Sequence, residues 1–193
     1  MKAHPAPLFQ KAAMTLVELL AVVAILAILI VASSTALTNV KRSAELKTSA
    51  AQVFDALAMA RQSAIALNAS IEVRIYSQNG RCFLRLFRIA QNGTVEEQID
   101  RIIRLPESVT FSTNATWSTL LTDAITGPEA SDSFGTYRRF RFKPNGTTNL
   151  GGTAPATITL IYKNDSENSS FPANFFTLQI DLQTGYVITF RPS

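Results

Sequence analysis

Side chains that serve as nucleophiles or general bases are scarce in this chain of 193 residues. Histidine occurs once, at His4, and cysteine occurs once, at Cys82. Since no histidine follows Met14, the rest of the chain holds no Ser-His-Asp triad, Cys-His dyad or imidazole metal site. The serines therefore have no histidine to activate them, and Cys82 cannot form a disulfide within the chain. We predict a protein that is not an enzyme, with no catalytic residue and no cofactor.

Acidic side chains gather in two loop regions, and oxygen clusters of this kind can hold Ca²⁺. The residues are Asp123, Glu129, Asp132, Asp165 and Glu167. Their spacing matches no defined calcium-binding loop. We interpret them as solvated loop carboxylates and predict no metal site.

Basic side chains alternate along one predicted strand, so they share a face. That face carries Tyr137, Arg139, Arg141 and Lys143. An earlier predicted strand carries three more arginines: Arg81, Arg85 and Arg88. If the two strands are neighbours, the cations and nearby aromatic rings form a stripe suited to a phosphate backbone. The net charge of +4 is too small to indicate nucleic-acid binding by itself. Both an ordinary solvated face and a nucleic-acid contact at Arg139, Arg141 and Lys143 remain open.

One carboxylate, Glu18, lies in the most apolar part of the chain. Residues 14–32 approach the ~20 residues that span ~30 Å of hydrocarbon. A charge at the centre of such a helix costs about 2.5–3.5 kcal/mol on insertion scales. This segment has two interpretations. It is either a secretory signal peptide that is cleaved near "VASSTA" or a plain membrane anchor whose Glu18 side chain extends toward the interface.

The helical pattern continues beyond the apolar run, since no Gly or Pro interrupts residues 14–68. Apolar residues recur at alternating intervals of four and three, which predicts one face of an amphipathic helix over 33–68. They are Leu46, Ala50, Val53, Leu57, Ala60, Ala64 and Leu67. A break near "SSTALTN" into two helices is the alternative, because Ser and Thr are poor helix formers.

Residues 69–193 change to the two-residue alternation of β-strands. Strands are predicted at 71–77, 81–89, 108–112, 136–143, 157–163, 175–181 and 185–190. The run 94–105 suits either a strand or a helix, and Asn-Gly turns indicate hairpins. The sequence therefore predicts an α+β fold, in which a long N-terminal helix packs on a mostly antiparallel sheet or sandwich.

The segment "MTLVELLAVVAILAILIV" (14–31) resembles the N-terminal signal of type IV pilins and type II secretion pseudopilins. The resemblance implies a leader over residues 1–13, cleavage between Ala13 and Met14, and N-methylation of Met14. The family usually has Gly and Phe at these two positions. Glu18 becomes the fifth mature residue, which in this family neutralises the terminal amine of a neighbouring subunit.

Three further segments resemble minor members of the GspH/FimT type. They are "LAMARQSAIALNASIEVRI" (57–75), "FRFKPNGTTNL" (140–150) and "FTLQIDLQTGYVITF" (176–190). The resemblance implies a pilin-like fold and a minor subunit of a type IV pilus or a secretion pseudopilus. Its partners would be other pilin subunits, a prepilin peptidase, an inner-membrane assembly platform and membrane lipid.

The resemblance also implies a single-pass inner-membrane protein, with residues 14–32 as the transmembrane and filament-core helix and 69–193 as a periplasmic domain. Loop charges narrowly favour the opposite insertion. Two alternative hypotheses remain. The protein is a DNA-binding minor pilin for DNA uptake, or it is a membrane-anchored protein with another binding function or with enzymatic activity.

Overall fold

The computed structural model describes residues 15–78, 81–100, 102–152, 155–165 and 172–191, with side chains for all of these except 31–40, 78 and 96. The predicted leader over residues 1–13, Ala13 and Met14 lie outside the described residues. The chain divides into two units, residues 1–41 and residues 42–193.

A long helix, α1, spans Leu16–Ala66. It begins where the hydroxyl oxygen of Thr15 accepts a hydrogen bond from the backbone N–H of Glu18, at 3.2 Å. It ends because Asn68 adopts a left-handed φ of 47°, while the N–H groups of Asn68 and Ala69 donate to the carbonyls of Ile65 and Ala64. This pair of bonds is a Schellman motif. The helix is continuous through 33–39, where the alternative prediction placed a break.

Within the described residues, no helix has the length and the apolar character that crossing a membrane requires. The predicted span over 14–32 lies partly outside them, and it stays a prediction.

The strands of the described residues are all paired antiparallel and form two sheets. They are β1 Ser70–Gln78, β2 Arg81–Ile89, β3 Val95–Gln98, β4 Ile103–Arg104, β5 Val109–Phe111, β6 Ala130–Asp132, β7 Gly135–Phe142, β8 Ala156–Tyr162, β9 Phe176–Ile180 and β10 Val187–Phe190. The first sheet has the order β3-β2-β1-β7-β6, with β4 pairing to β2. The second has the order β10-β9-β8-β5. A short helix, α2 (Asp123–Thr126), lies in the connection between β5 and β6.

The hydrophobic core of residues 42–193 combines one stripe of α1 with the inner faces of both sheets. The stripe consists of Leu46, Ala50, Val53, Leu57, Ala60 and Ala64. These are the predicted positions, except that Leu67 is exposed because the helix has already ended. The α+β fold class is confirmed, with a helix packed on antiparallel sheets. The ambiguous run 94–105 forms β3 and β4, and not a helix.

Two turns contact each other at Gly146 and Gly185, and we derive a stability prediction from this contact. Gly185 has a φ of +68° and lies against the carbonyl oxygen of Gly146, so a Cβ atom would overlap that oxygen. Gly93 has a similar φ of +85°, but nothing lies within 4 Å of its added Cβ. A left-handed backbone costs an L-residue about 1–2 kcal/mol, which is the loss expected for Gly93→Ala in urea unfolding. Gly185→Ala is expected to lower the free energy of unfolding by clearly more than Gly93→Ala does. Equal losses for the two variants would contradict the close contact at Gly185.

Candidate functional site: the arginine–aromatic ladder and the apolar helix

The outer face of the first sheet collects most of the basic residues that the sequence singled out. Strand β1 lies between β2 and β7, so those two strands are not neighbours as the stripe hypothesis required. In the register, Arg74 of β1 stands opposite Arg85 on one side and Arg139 on the other. The row of arginines therefore has a member from β1 at its centre, which the sequence analysis did not include.

A buried carboxylate, Glu72, neutralises two of these cations. The Arg74 Nε donates to Glu72 Oε1 at 2.8 Å. The Arg141 guanidinium donates to Glu72 Oε2 through Nε at 3.0 Å and lies 2.9 Å away through Nη2. Because the Glu72 side chain is fully buried, these bonds replace the water that a charged carboxylate otherwise needs.

A second carboxylate, Asp132, is the last residue of β6, directly before the turn to β7. Tyr76 donates its hydroxyl hydrogen to Asp132 Oδ2 at 2.6 Å, and Arg74 Nη1 donates at 3.2 Å. The Arg85 Nη1 lies 3.7 Å from the same oxygen. The backbone N–H of Phe134 donates to the other oxygen, Oδ1, at 2.8 Å. This aspartate thus fastens the β6–β7 turn to β1 and β2.

Aromatic rings alternate with the guanidinium groups in a stack that runs through Phe134, Arg85, Phe87, Arg74 and Tyr137. The distances from guanidinium carbon to ring centre along this stack are 4.0, 4.7, 4.1 and 4.7 Å. Each lies within the range of a cation–π contact. The Tyr76 ring packs beside the stack, on Phe83 at 4.3 Å between centroids. We call the stack, together with the linked side chains of Glu72, Arg141, Asp132 and Tyr76, the arginine–aromatic ladder.

The charges of the ladder shift the pKa values of its members. Partial burial alone would raise the pKa of the Asp132 carboxyl, but hydrogen bonds from Tyr76 and Phe134, together with two arginine charges, lower it below its ordinary value. Burial, and next the hydrogen bond to Asp132, raises the pKa of Tyr76 to about 12. Burial would lower the pKa of Arg74, but the hydrogen bond and charge of Glu72 raise it. The ladder is therefore a set of mutually satisfied charges.

Asp132→Asn tests this electrostatic role. Because the pKa of Asp132 is lowered on folding, its carboxylate adds stability above the ordinary aspartate pKa of about 4, which is lost as the pH falls through the folded-state value. The substitution is expected to flatten the acid fall in the free energy of unfolding, measured by urea titration at a series of pH values. Asp55→Asn, on the exposed face of α1, is the control, and an equal flattening there would contradict the assignment.

The predicted nucleic-acid residues differ in what they contact. Arg141 is bound to Glu72, whereas Arg139 and Lys143 are exposed. The structure gives neither of those two an ion pair within the described part of the chain. Nucleic-acid contact stays a prediction, and the face available for it is smaller than the sequence suggested.

The candidate metal ligands of the described residues do not gather into a cluster. Among those residues, no group of three or more His, Cys, Asp or Glu is placed to hold a metal ion. Of the predicted calcium candidates, Asp123 pairs with Arg138 and Asp132 belongs to the ladder. Cys82 is buried among core residues.

The N-terminal unit presents a different surface, a stretch of helix over residues 16–30 in which every side chain is exposed. Its large exposed apolar residues are Leu16, Val17, Leu19, Leu20, Val22, Val23, Ile25, Leu26, Ile28, Leu29 and Ile30. Glu18 is also exposed, and it occupies the third helical position after the Thr15 cap. Apolar surface of this extent marks contact with protein or membrane.

These elements, a long N-terminal helix and antiparallel sheets, form the fold of type IV pilins and pseudopilins. The minor pseudopilin EpsH of the Vibrio cholerae type 2 secretion system superposes with a TM-score of 0.50, at 14% identity over 77% of this chain and 98% of that chain. The type IV minor pilin FimU of Pseudomonas aeruginosa gives 0.50, at 14% identity over 77% and 93%. No family model matches the sequence, and neither does a curated protein. At this identity the likeness establishes the fold.

Proposed function

We propose that the protein is a minor pilin or pseudopilin, a structural subunit that assembles through its N-terminal helix into a type IV pilus or a secretion pseudopilus. The observation that carries this proposal is the exposed apolar stretch of α1 over Leu16–Ile30 with one carboxylate at Glu18. A monomer in water gains nothing from such a surface, whereas a subunit buries it against lipid first and against other subunits later.

The processing step rests on the resemblance of residues 14–31 to the N-terminal signal of pilins. A prepilin peptidase removes residues 1–13, and Met14 becomes the N-methylated end of the mature chain. Thr15 then caps the helix directly after that new terminus. The fold shared with EpsH and FimU supports this proposal, since both proteins are subunits of such assemblies by name.

The membrane step uses residues 14–32 as a single-pass inner-membrane anchor, with the β-rich domain in the periplasm. The assembly platform then moves the subunit from lipid into the filament. Glu18 favours this transfer, because an isolated carboxylate is costly in lipid and is tolerated beside a neighbour's terminal ammonium.

Mass spectrometry of the filament fraction tests the proposal. Protein recovered with sheared filaments or pseudopili from the native cells is expected to start at methylated Met14 and to lack residues 1–13. Ala13→Gly restores the residue usual in the family and is expected to be processed normally, whereas Ala13→Leu is expected to block cleavage. An uncleaved chain in the filament fraction, or absence from that fraction, would overturn the proposal.

A further inference from the structure

Strand β10 ends the second sheet and has one neighbour, β9, among the described residues. Its backbone pairs with β9 from Val187 opposite Ile180 to Phe190 opposite Thr177. No other backbone hydrogen bond of these four residues is formed within the described chain. With respect to the described residues, the outer edge of β10 therefore presents free N–H and C=O groups.

The side chains of this edge are apolar where a protected edge is normally charged. Tyr186, Ile188 and Phe190 are 60%, 49% and 48% exposed, and their spacing of two places them on one face. Proteins usually guard an edge strand with a charge, a proline or a bulge. The segment 187–190 contains no charge and no proline, and its pairing to β9 is regular.

The strand is also held in place before any partner arrives. The Arg61 Nε of α1 donates to the Thr184 carbonyl at 3.0 Å, and its guanidinium lies 4.0 Å from the centre of the Tyr186 ring. The carboxylate of Asp181 accepts the backbone N–H groups of Gln183 and Thr184 in the preceding turn. A rigid strand loses little entropy on binding, which favours recognition.

Cations stand near both ends of this apolar strand. Arg61 lies beside Tyr186 at its start, and Arg191 follows Phe190 at its end, 5.3 Å from the centre of the Phe176 ring. Neither arginine forms an ion pair with a described residue. Charge complementarity therefore favours an occupant that is apolar in its middle and acidic at its ends.

We propose that β10 is a docking edge that takes an extended segment of a partner protein. The segment adds a strand to the second sheet by main-chain hydrogen bonds, as in strand addition to other open sheets. Its alternate apolar side chains pack on Ile188 and Phe190, and carboxylates beyond its two ends meet Arg61 and Arg191.

A synthetic peptide tests the docking edge with the full-length protein in detergent micelles. The probe has valine at three alternate positions, serine between them, aspartate at each end and a fluorescent label for anisotropy. Ile188→Lys is expected to weaken binding by about tenfold or more, close to 1.4 kcal/mol. The matched control is Val95→Lys, because Val95 is 46% exposed on β3, an edge strand of the other sheet, and it is expected to bind like the wild type.

Two altered peptides test the main-chain hydrogen bonds and the end charges separately. Proline at the central position removes a main-chain donor and is expected to abolish binding, while lysine in place of the end aspartates is expected to weaken it. The proposal is overturned if the wild type does not bind, if both protein variants lose binding equally, or if β10 pairs with a second copy. The last outcome would appear as self-association lost in Ile188→Lys. No filament enters this assay, so its failure is distinct from failure of the proposed function.

Discussion

Glu18→Val is expected to leave the protein in the membrane and to lower its incorporation into filaments by about tenfold or more. Under the proposed function, the carboxylate meets the terminal amine of a neighbouring subunit in an apolar filament core. Removing one partner of a buried ion pair costs about 3–5 kcal/mol, because the other charge stays buried alone. Even a third of that free energy corresponds to about a tenfold change in an equilibrium.

Glu18→Val is expected to leave the hydrogen bond at the start of the helix intact. The bond at the helix start is donated by the backbone N–H of Glu18 to Thr15 Oγ1, and valine keeps that N–H group. The measurement compares the protein in membrane and filament fractions by quantitative immunoblotting. Val17→Leu, at the neighbouring exposed apolar position, is the matched control and is expected to assemble normally. Normal incorporation of Glu18→Val would refute the assembly role of the carboxylate.

Glu72→Ala is expected to have the largest effect on stability, with a loss of about 3–5 kcal/mol in the free energy of unfolding. The substitution leaves the buried Arg74 without its 2.8 Å partner and frees Arg141 from its two contacts with the same carboxylate. Arg74 keeps the 3.2 Å bond to Asp132, but losing the closer of its two carboxylate partners is costly for a buried guanidinium because water does not replace it.

Glu97 provides the comparison for Glu72 in urea unfolding of the full-length protein. It is an exposed glutamate whose nearest arginine atom, Arg88 Nη1, is 3.9 Å away. Exposed pairs of this kind contribute about 0–1 kcal/mol, so Glu97→Ala is expected to be nearly neutral. Similar losses for the two alanine variants would mean that the ladder does not depend on Glu72.

The parts of the fold that local periodicity controls could be predicted from the sequence. The buried stripe from Leu46 to Ala64 follows the helical repeat, because a helix must bury one face against the sheets. Strand β2 has the predicted bounds, Arg81–Ile89, because Cys82, Leu84 and Leu86 recur every second residue on its buried face. The pilin-like architecture was predicted from resemblance, and the structural comparisons confirm it at the level of the fold.

The arginine–aromatic ladder could not be predicted, because it depends on which strands are neighbours. Glu72 and Arg74 alternate with buried Ile71 and Val73, a pattern typical of a strand with one solvated face. That face is instead contacted by Asp132, at the end of β6, and by the turn that follows it. The sequence pattern for β6 was weak, since this strand has only three residues and lies in a polar stretch. The sequence feature that could have indicated the ladder is the run of three polar residues on one face of β1: Glu72, Arg74 and Tyr76.

The distances along the chain between ladder partners have a kinetic consequence. Glu72 and Arg141 are 69 positions apart, and Tyr76 and Asp132 are 56 apart. The hairpin of β1 and β2 closes locally, but these partners meet only after long loops have closed, which is slow. Until β7 arrives, the charges of β1 remain hydrated. The buried ion pairs of Glu72 are thus expected to form late in folding, while the nascent hairpin keeps its outer face in water.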